Sequence, residues 1–188
     1  MSPRVCRGVS LALGLALLLI AGCGGCPEAA RRQLEEGDSI MKEVVPKADE
    51  VLYQLDSLFT NYAAGVNTEP VGVRFAMDEY GRAASGLVSR SGEARKAYEN
   101  ALGMKGAGAC AEYAKQRLAA IGQIERVPRA AEKGFKVIKS GQKSSVAFDE
   151  GPLYMSARSL VQIDVEMRYA MGYADTLGKK LNLEAPAE

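Results

Sequence analysis

Apolar residues recur at three- and four-residue steps through four successive stretches of this 188-residue chain. That periodicity constrains the fold more than any other feature, because it gives each stretch one apolar face at the period of an α-helix. Residues 28–64 carry Leu34, Met41, Ala48, Leu55 and Tyr62 at seven-residue intervals, with Val44, Val51 and Leu58 between them. Residues 71–102 continue with Val73, Met77, Tyr80, Ala84, Leu87, Ala94, Tyr98 and Ala101, interrupted by Ser91. Residues 109–140 carry Cys110, Ala114, Leu118, Ile121, Ile124, Ala131, Phe135 and Ile138. Residues 153–183 carry Leu160, Ile163, Met167, Ala170, Ala174, Leu177 and Leu181. Clusters rich in Gly, Pro and Ser at 65–72, 103–108 and 141–152 separate the stretches, and the chain has neither an Asn-Gly nor an Asp-Gly hairpin turn.

Four stripes of similar length joined by short linkers predict an all-α fold, an up-down-up-down four-helix bundle. Each rod would be roughly 45–50 Å long at 1.5 Å per residue, and the heptad period favours shallow crossing angles. Thr68, before Pro70, and Asp149, before Pro152, suit the starts of the second and fourth helices. Pro46 and Pro128 are expected to kink or split the first and third helices. Glycines within the patterns, Gly81, Gly86, Gly92, Gly122, Gly134, Gly172 and Gly178, each cost about 1 kcal/mol relative to Ala unless they allow helices to approach closely.

The segment ahead of the bundle has the three parts of a secretory signal. Arg4 and Arg7 give a positive start, residues 9–20 are apolar, and Ala21-Gly22 are small residues before a cysteine. The apolar part is about twelve residues, short of the roughly twenty that a spanning helix needs. Ile20-Ala21-Gly22-Cys23 resembles the lipobox of bacterial lipoprotein precursors. The resemblance covers this leader alone. It implies cleavage before Cys23, transfer of a diacylglyceryl group to that cysteine and, often, a third acyl chain such as palmitate, and an extracytoplasmic protein held at a membrane. A diacylated cysteine is a stable anchor, since each buried CH₂ contributes about 0.8 kcal/mol and one chain alone is marginal. The expected division is a removed signal at 1–22, the lipidated Cys23 and a tether at 23–27, a helical bundle at 28–183 and a flexible end at 184–188.

On this reading Cys6 leaves with the leader and Cys23 carries lipid, so Cys23-Gly-Gly-Cys26 is not a redox motif. Cys26 and Cys110 remain, as one disulfide or as two free thiols in a compartment where disulfides persist. In the expected topology the first and third helices run the same way, which puts both cysteines at one end. Pro46 lies 20 residues beyond Cys26 and Pro128 lies 18 beyond Cys110, so the two prolines fall almost level. That register favours a staple.

The chain contains no histidine, which removes the Ser-His-Asp triad, the Cys-His pair, and His-ligated zinc, haem and di-iron sites. No catalytic residue, cofactor site or metal site is assigned. Without the leader, 22 Lys and Arg face 23 Asp and Glu, and this balance gives no indication of nucleic acid. Asp78-Glu79 and Asp149-Glu150 are neighbours in sequence that would diverge on a helix, so neither makes an acid–base pair. Met41, Met77, Met155, Met167 and Met171 fit core packing better than thioether ligation of copper(I). Asp164 interrupts the apolar run 160–167 and is expected at the boundary of the core.

The most distinctive surface feature is a basic ladder: Arg126, Arg129, Lys133, Lys136 and Lys143, with Lys139 beside it. Its three- and four-residue steps place it on one face, roughly opposite Ile124, Ala131, Phe135 and Ile138. It suits an anionic partner such as a cell-wall polymer, lipid headgroups or an acidic protein, or it is a solvated helix face. Three functions follow in order: a lipid-anchored, non-enzymatic interaction or secretion-accessory module of the cell envelope; a ligand-binding or sensor bundle with a pocket near the prolines; and a hydrolase that uses carboxylates.

Overall fold

The computed structural model describes residues 26–66, 68–142 and 149–183. Five helices account for most of them: α1 Glu28–Ala63, α2 Pro70–Gly103, α3 Gly108–Ile124, α4 Val127–Gly141 and α5 Gly151–Lys180. No strand is present among the described residues. α3 and α4 are consecutive halves of one rod, so the architecture is the all-α bundle of four rods that the periodicity predicts. Each rod packs most extensively against its neighbours in sequence, and α5 closes the ring against α1.

The two prolines act differently. Pro128 stands at the second position of α4, and its ring excludes a continuous helix by colliding with the carbonyl four residues back, that of Ile124. α3 ends at that residue. The turn at 125–126 is short, Ile124 and Val127 on either side of it are buried, and the rod continues. By contrast, α1 runs unbroken through Pro46. Pro46 lies on the exposed side of α1 while Val44 and Ala48 are buried, so core packing on both sides holds the helix across the missing hydrogen bond.

α1 stops in a turn that satisfies its last carbonyls. Gly65 has φ of 71°, its N–H donates to the Tyr62 carbonyl at 3.1 Å, and the Val66 N–H donates to that of Asn61 at 2.8 Å. A left-handed residue closing two such bonds is a standard helix stop, and glycine takes that conformation without a steric penalty. Neither expected cap stands at the cap itself. Glu69 and Glu150 occupy those positions, because the helices open on or beside proline and need no side chain there. Asp149 contributes from one residue earlier, where Oδ1 accepts from the Gly151 N–H at 3.0 Å.

The core follows the stripes. Leu34, Met41, Ala48, Leu55, Val73, Ala84, Leu87, Ile121, Ile124, Ile138, Leu160, Ile163 and Met167 are buried together, with Phe59 and Phe135 in edge-to-face contact at 5.9 Å between α1 and α4. Ser91 does not interrupt its stripe: it is fully buried and returns its hydroxyl proton to the Val88 carbonyl at 3.2 Å. Three glycines allow large rings to press on helix backbones. A Cβ at Gly37 would lie 2.7 Å from the Tyr98 ring, one at Gly178 would lie 3.1 Å from Tyr113, and one at Gly134 would collide with Phe59. Gly86, Gly92, Gly122 and Gly172 face open space.

The chain ends of the helices cluster as the alternating directions require. Cys26, just before α1, is bonded to Cys110 in the first turn of α3, with 5.5 Å between Cα atoms. Arg31 of α1 donates to the carbonyl of Leu181, just past α5, at 3.2 Å. The end of α1, the start of α2, the end of α4 and the start of α5 form the opposite end, about 50 Å away along α1. No helix among the described residues is long and apolar enough to cross a membrane.

Candidate functional site

Open grooves among the described residues include one in the half of the bundle nearer the disulfide and one in the half remote from it. The first, of about 620 Å³, runs between α1 and α5 over α3, from Leu183 near the disulfide to Pro46. Its floor is a polar cluster that packing has forced into the core. Arg117 is only 8% exposed, and its position, three residues after Ala114 and four before Ile121, falls on the apolar stripe of α3. Asp38 falls likewise between Leu34 and Met41 on α1.

The cluster satisfies itself. Tyr98 of α2 donates to Asp38 Oδ1 at 2.7 Å, and Tyr113 of α3 donates to Asp38 Oδ2 at 2.6 Å. Arg117 Nε lies 3.0 Å from Asp38 Oδ1, and Nη2 lies 3.0 Å from Asp175 Oδ1 on α5. The guanidinium also donates to the Tyr113 hydroxyl at 2.7 and 2.9 Å and to the Met171 sulfur at 3.1 Å. Burial opposes the charge on Arg117, yet Asp38 and the two phenols more than restore it, and its pKa is raised. Burial, with the Asp38 charge added, raises the pKa of both Tyr98 and Tyr113, so both phenols stay neutral donors. The arrangement is a desolvated ion pair with its lone pairs filled, and it ties α1, α2, α3 and α5 together.

A second polar bridge crosses α1 and α5 nearby. Arg168 donates from Nε to Asp164 at 2.8 Å and lies 3.1 Å from Asp49 Oδ1, an ion-pair distance without hydrogen-bond alignment. Burial raises the pKa of Asp49 against the pull of Arg168. Asp164, half-buried and paired, sits at the core boundary as expected.

From the middle of the third rod toward the remote end, Arg126, Arg129, Lys133, Lys136 and Lys139 are all exposed, and Ile124, Ala131 and Ile138 are buried on the other side. Arg126 belongs to the break between α3 and α4 rather than to a continuous helix, and pairs with Glu166 at 2.9 Å. Lys136 pairs with Glu132 at 2.8 Å. Beside this row lies the second groove, of about 650 Å³, between α4 and α5. Met155, which the pattern assigned to the core, is 65% exposed and lines it. The outer face of α5 exposes Tyr154, Val161, Val165 and Tyr169 as well.

Cys23, Lys143 and the segments 1–25 and 184–188 lie outside the described residues. Sequence reading missed Asp38, Tyr98, Tyr113 and Arg117 as a unit, although two charged residues on apolar stripes were the available signal. No family model matches the chain, and it has no match among curated proteins or solved structures.

Proposed function

We propose that the chain is a lipid-anchored, extracytoplasmic helical bundle that serves as a non-enzymatic interaction module of the cell envelope, in a structural or secretion-accessory role. The anchor rests on Ile20-Ala21-Gly22-Cys23 behind its arginine-flanked apolar run. The observation that carries the interaction role is the surface remote from Cys26 and Cys110. There α4 displays a basic row beside the exposed aliphatic and aromatic side chains of α5, on a bundle whose interior polar groups bind one another. A module tethered at one end and charged at the other is built to reach across a gap.

The second reading, a small-ligand or sensor domain, draws on the groove that reaches from Leu183 to Pro46, whose size falls in the range of small-molecule sites. Its weakness is that the guanidinium at its floor is already committed to two carboxylates. The same commitment weighs against a hydrolase, since Asp38 accepts from two phenols and faces Arg117, which leaves it poorly suited to act as a base.

Labelling with radioactive palmitate, followed by membrane fractionation, tests the anchor: the wild type is expected to incorporate label and sediment with membranes, and Cys23→Ala to lose both. Photo-crosslinkers at positions 133 and 165 are expected to trap the same envelope component, and one at position 47 to trap none of it. Equal trapping at all three positions, or unlabelled wild type, overturns the proposal.

A further inference from the structure

The charge of this chain is balanced in total and segregated in space. α1 carries eight acidic and four basic residues, whereas α4 carries Arg129, Lys133, Lys136 and Lys139 against Glu132 alone. The groove beside α4 extends this segregation onto a second helix. Lys133 of α4 and Arg158 of α5 both line it, with Ser159 and Gln162 as further polar groups and Val137 and Met155 as apolar ones. No carboxylate is among its lining residues, and neither Lys133, Lys139 nor Arg158 forms an ion pair with a described residue. Arg158 was no part of the ladder in sequence, because the fold alone brings it alongside.

From this geometry we infer that the α4–α5 groove and the basic row beside it bind a linear polyanion, an envelope polymer with repeated phosphates on a polyol backbone. Cations from position 129 to 139 follow one another about 4.5–6 Å apart along the helix axis and extend over about 15 Å. Such a row matches repeated charges along a chain, whereas a bilayer presents a plane. The Arg158 fork and the Lys133 ammonium suit phosphate oxygens. Ser159 and Gln162 supply hydrogen bonds for hydroxyls, and the apolar wall accepts the CH faces of a polyol. The site stands in the half of the bundle away from residue 26, so it addresses material beyond the tether. This inference names the partner for the envelope-module reading and rests on it for where the partner is met.

The test uses the full chain purified in dodecyl maltoside, so that it does not depend on the anchor, with fluorescent poly(glycerol phosphate) as probe and anisotropy as readout. Saturable binding that weakens as salt rises is expected. Lys133→Ala with Arg158→Ala should weaken it by about tenfold or more, while the exchange Lys133→Arg with Arg158→Lys retains most of it. Lys42→Ala with Lys47→Ala, on α1, should leave it unchanged, and helical circular dichroism confirms that each variant is folded. The inference is overturned by absent binding at low salt, by equal losses in the α1 and groove variants, by stronger binding to polygalacturonate, or by preference for micelles doped with phosphatidylglycerol.

Discussion

Arg117 on α3 and Asp38 on α1 stand 3.0 Å apart in the interior of the bundle, each the nearest buried countercharge of the other. Losing one partner strands the other where water solvates it poorly. Arg117→Met is therefore expected to destabilise the fold by about 3 kcal/mol, and Asp38→Leu combined with Arg117→Met to recover much of that loss. Urea midpoints at unchanged slope measure both. A double variant as unstable as the sum of the two singles would refute the coupling.

Tyr98 and Tyr113 share the Asp38 carboxylate from two helices. Each Tyr→Phe change should cost about 1.5–3 kcal/mol, because a hydrogen bond to a charged group is lost. The pair should cost less than the sum, since both contacts serve one acceptor. A double-mutant cycle by chemical denaturation reads that difference directly.

Glycine substitutions should change sign with position. Gly134→Ala places a methyl group against the Phe59 ring and should destabilise by about 1–3 kcal/mol. Gly86→Ala enters open space within a helix and should stabilise by roughly 0.5–1 kcal/mol. Paired thermal melts are enough to compare them.

The Cys26–Cys110 bond closes a segment 84 residues long, which limits the unfolded chain far more than the folded one. Cys110→Ser should lower stability by about 2–4 kcal/mol, and a reductant should do the same to the wild type while leaving the variant unaffected.

Burial raises the Asp49 pKa above the ordinary carboxylate value of 3.8. The folded state then binds the proton more tightly than the unfolded state. Its contribution is most favourable below that value and is lost as pH rises through the higher folded pKa. Asp49→Asn should therefore flatten the fall in stability across that window, as followed by melting temperature from pH 3 to 7. A steeper fall in the variant would show that Arg168 outweighs burial.

The stripes made the bundle readable, since Leu34, Met41, Leu55, Ile121 and Met167 are buried where heptad spacing places them. The alternating topology likewise put Cys26 and Cys110 at one end. What escaped was pairing between rods. Asp38 and Arg117 are 79 positions apart, and nothing local in either helix announces that their side chains meet. Arg158 joined the basic row for the same reason, as a neighbour across α4 and α5. Pro46 and Pro128 show a further limit: one residue type stands inside a continuous helix and near the start of a new one, although both have buried neighbours, so neither propensity nor the local apolar pattern tells the two apart.

The cystine at the end where α1 begins also governs how the bundle would bear load. A pull applied at residue 26 does not reach α1 alone, because the covalent bridge passes it at once to α3. Two parallel rods are then drawn along their axes together, in shear, instead of one being peeled from its neighbours turn by turn.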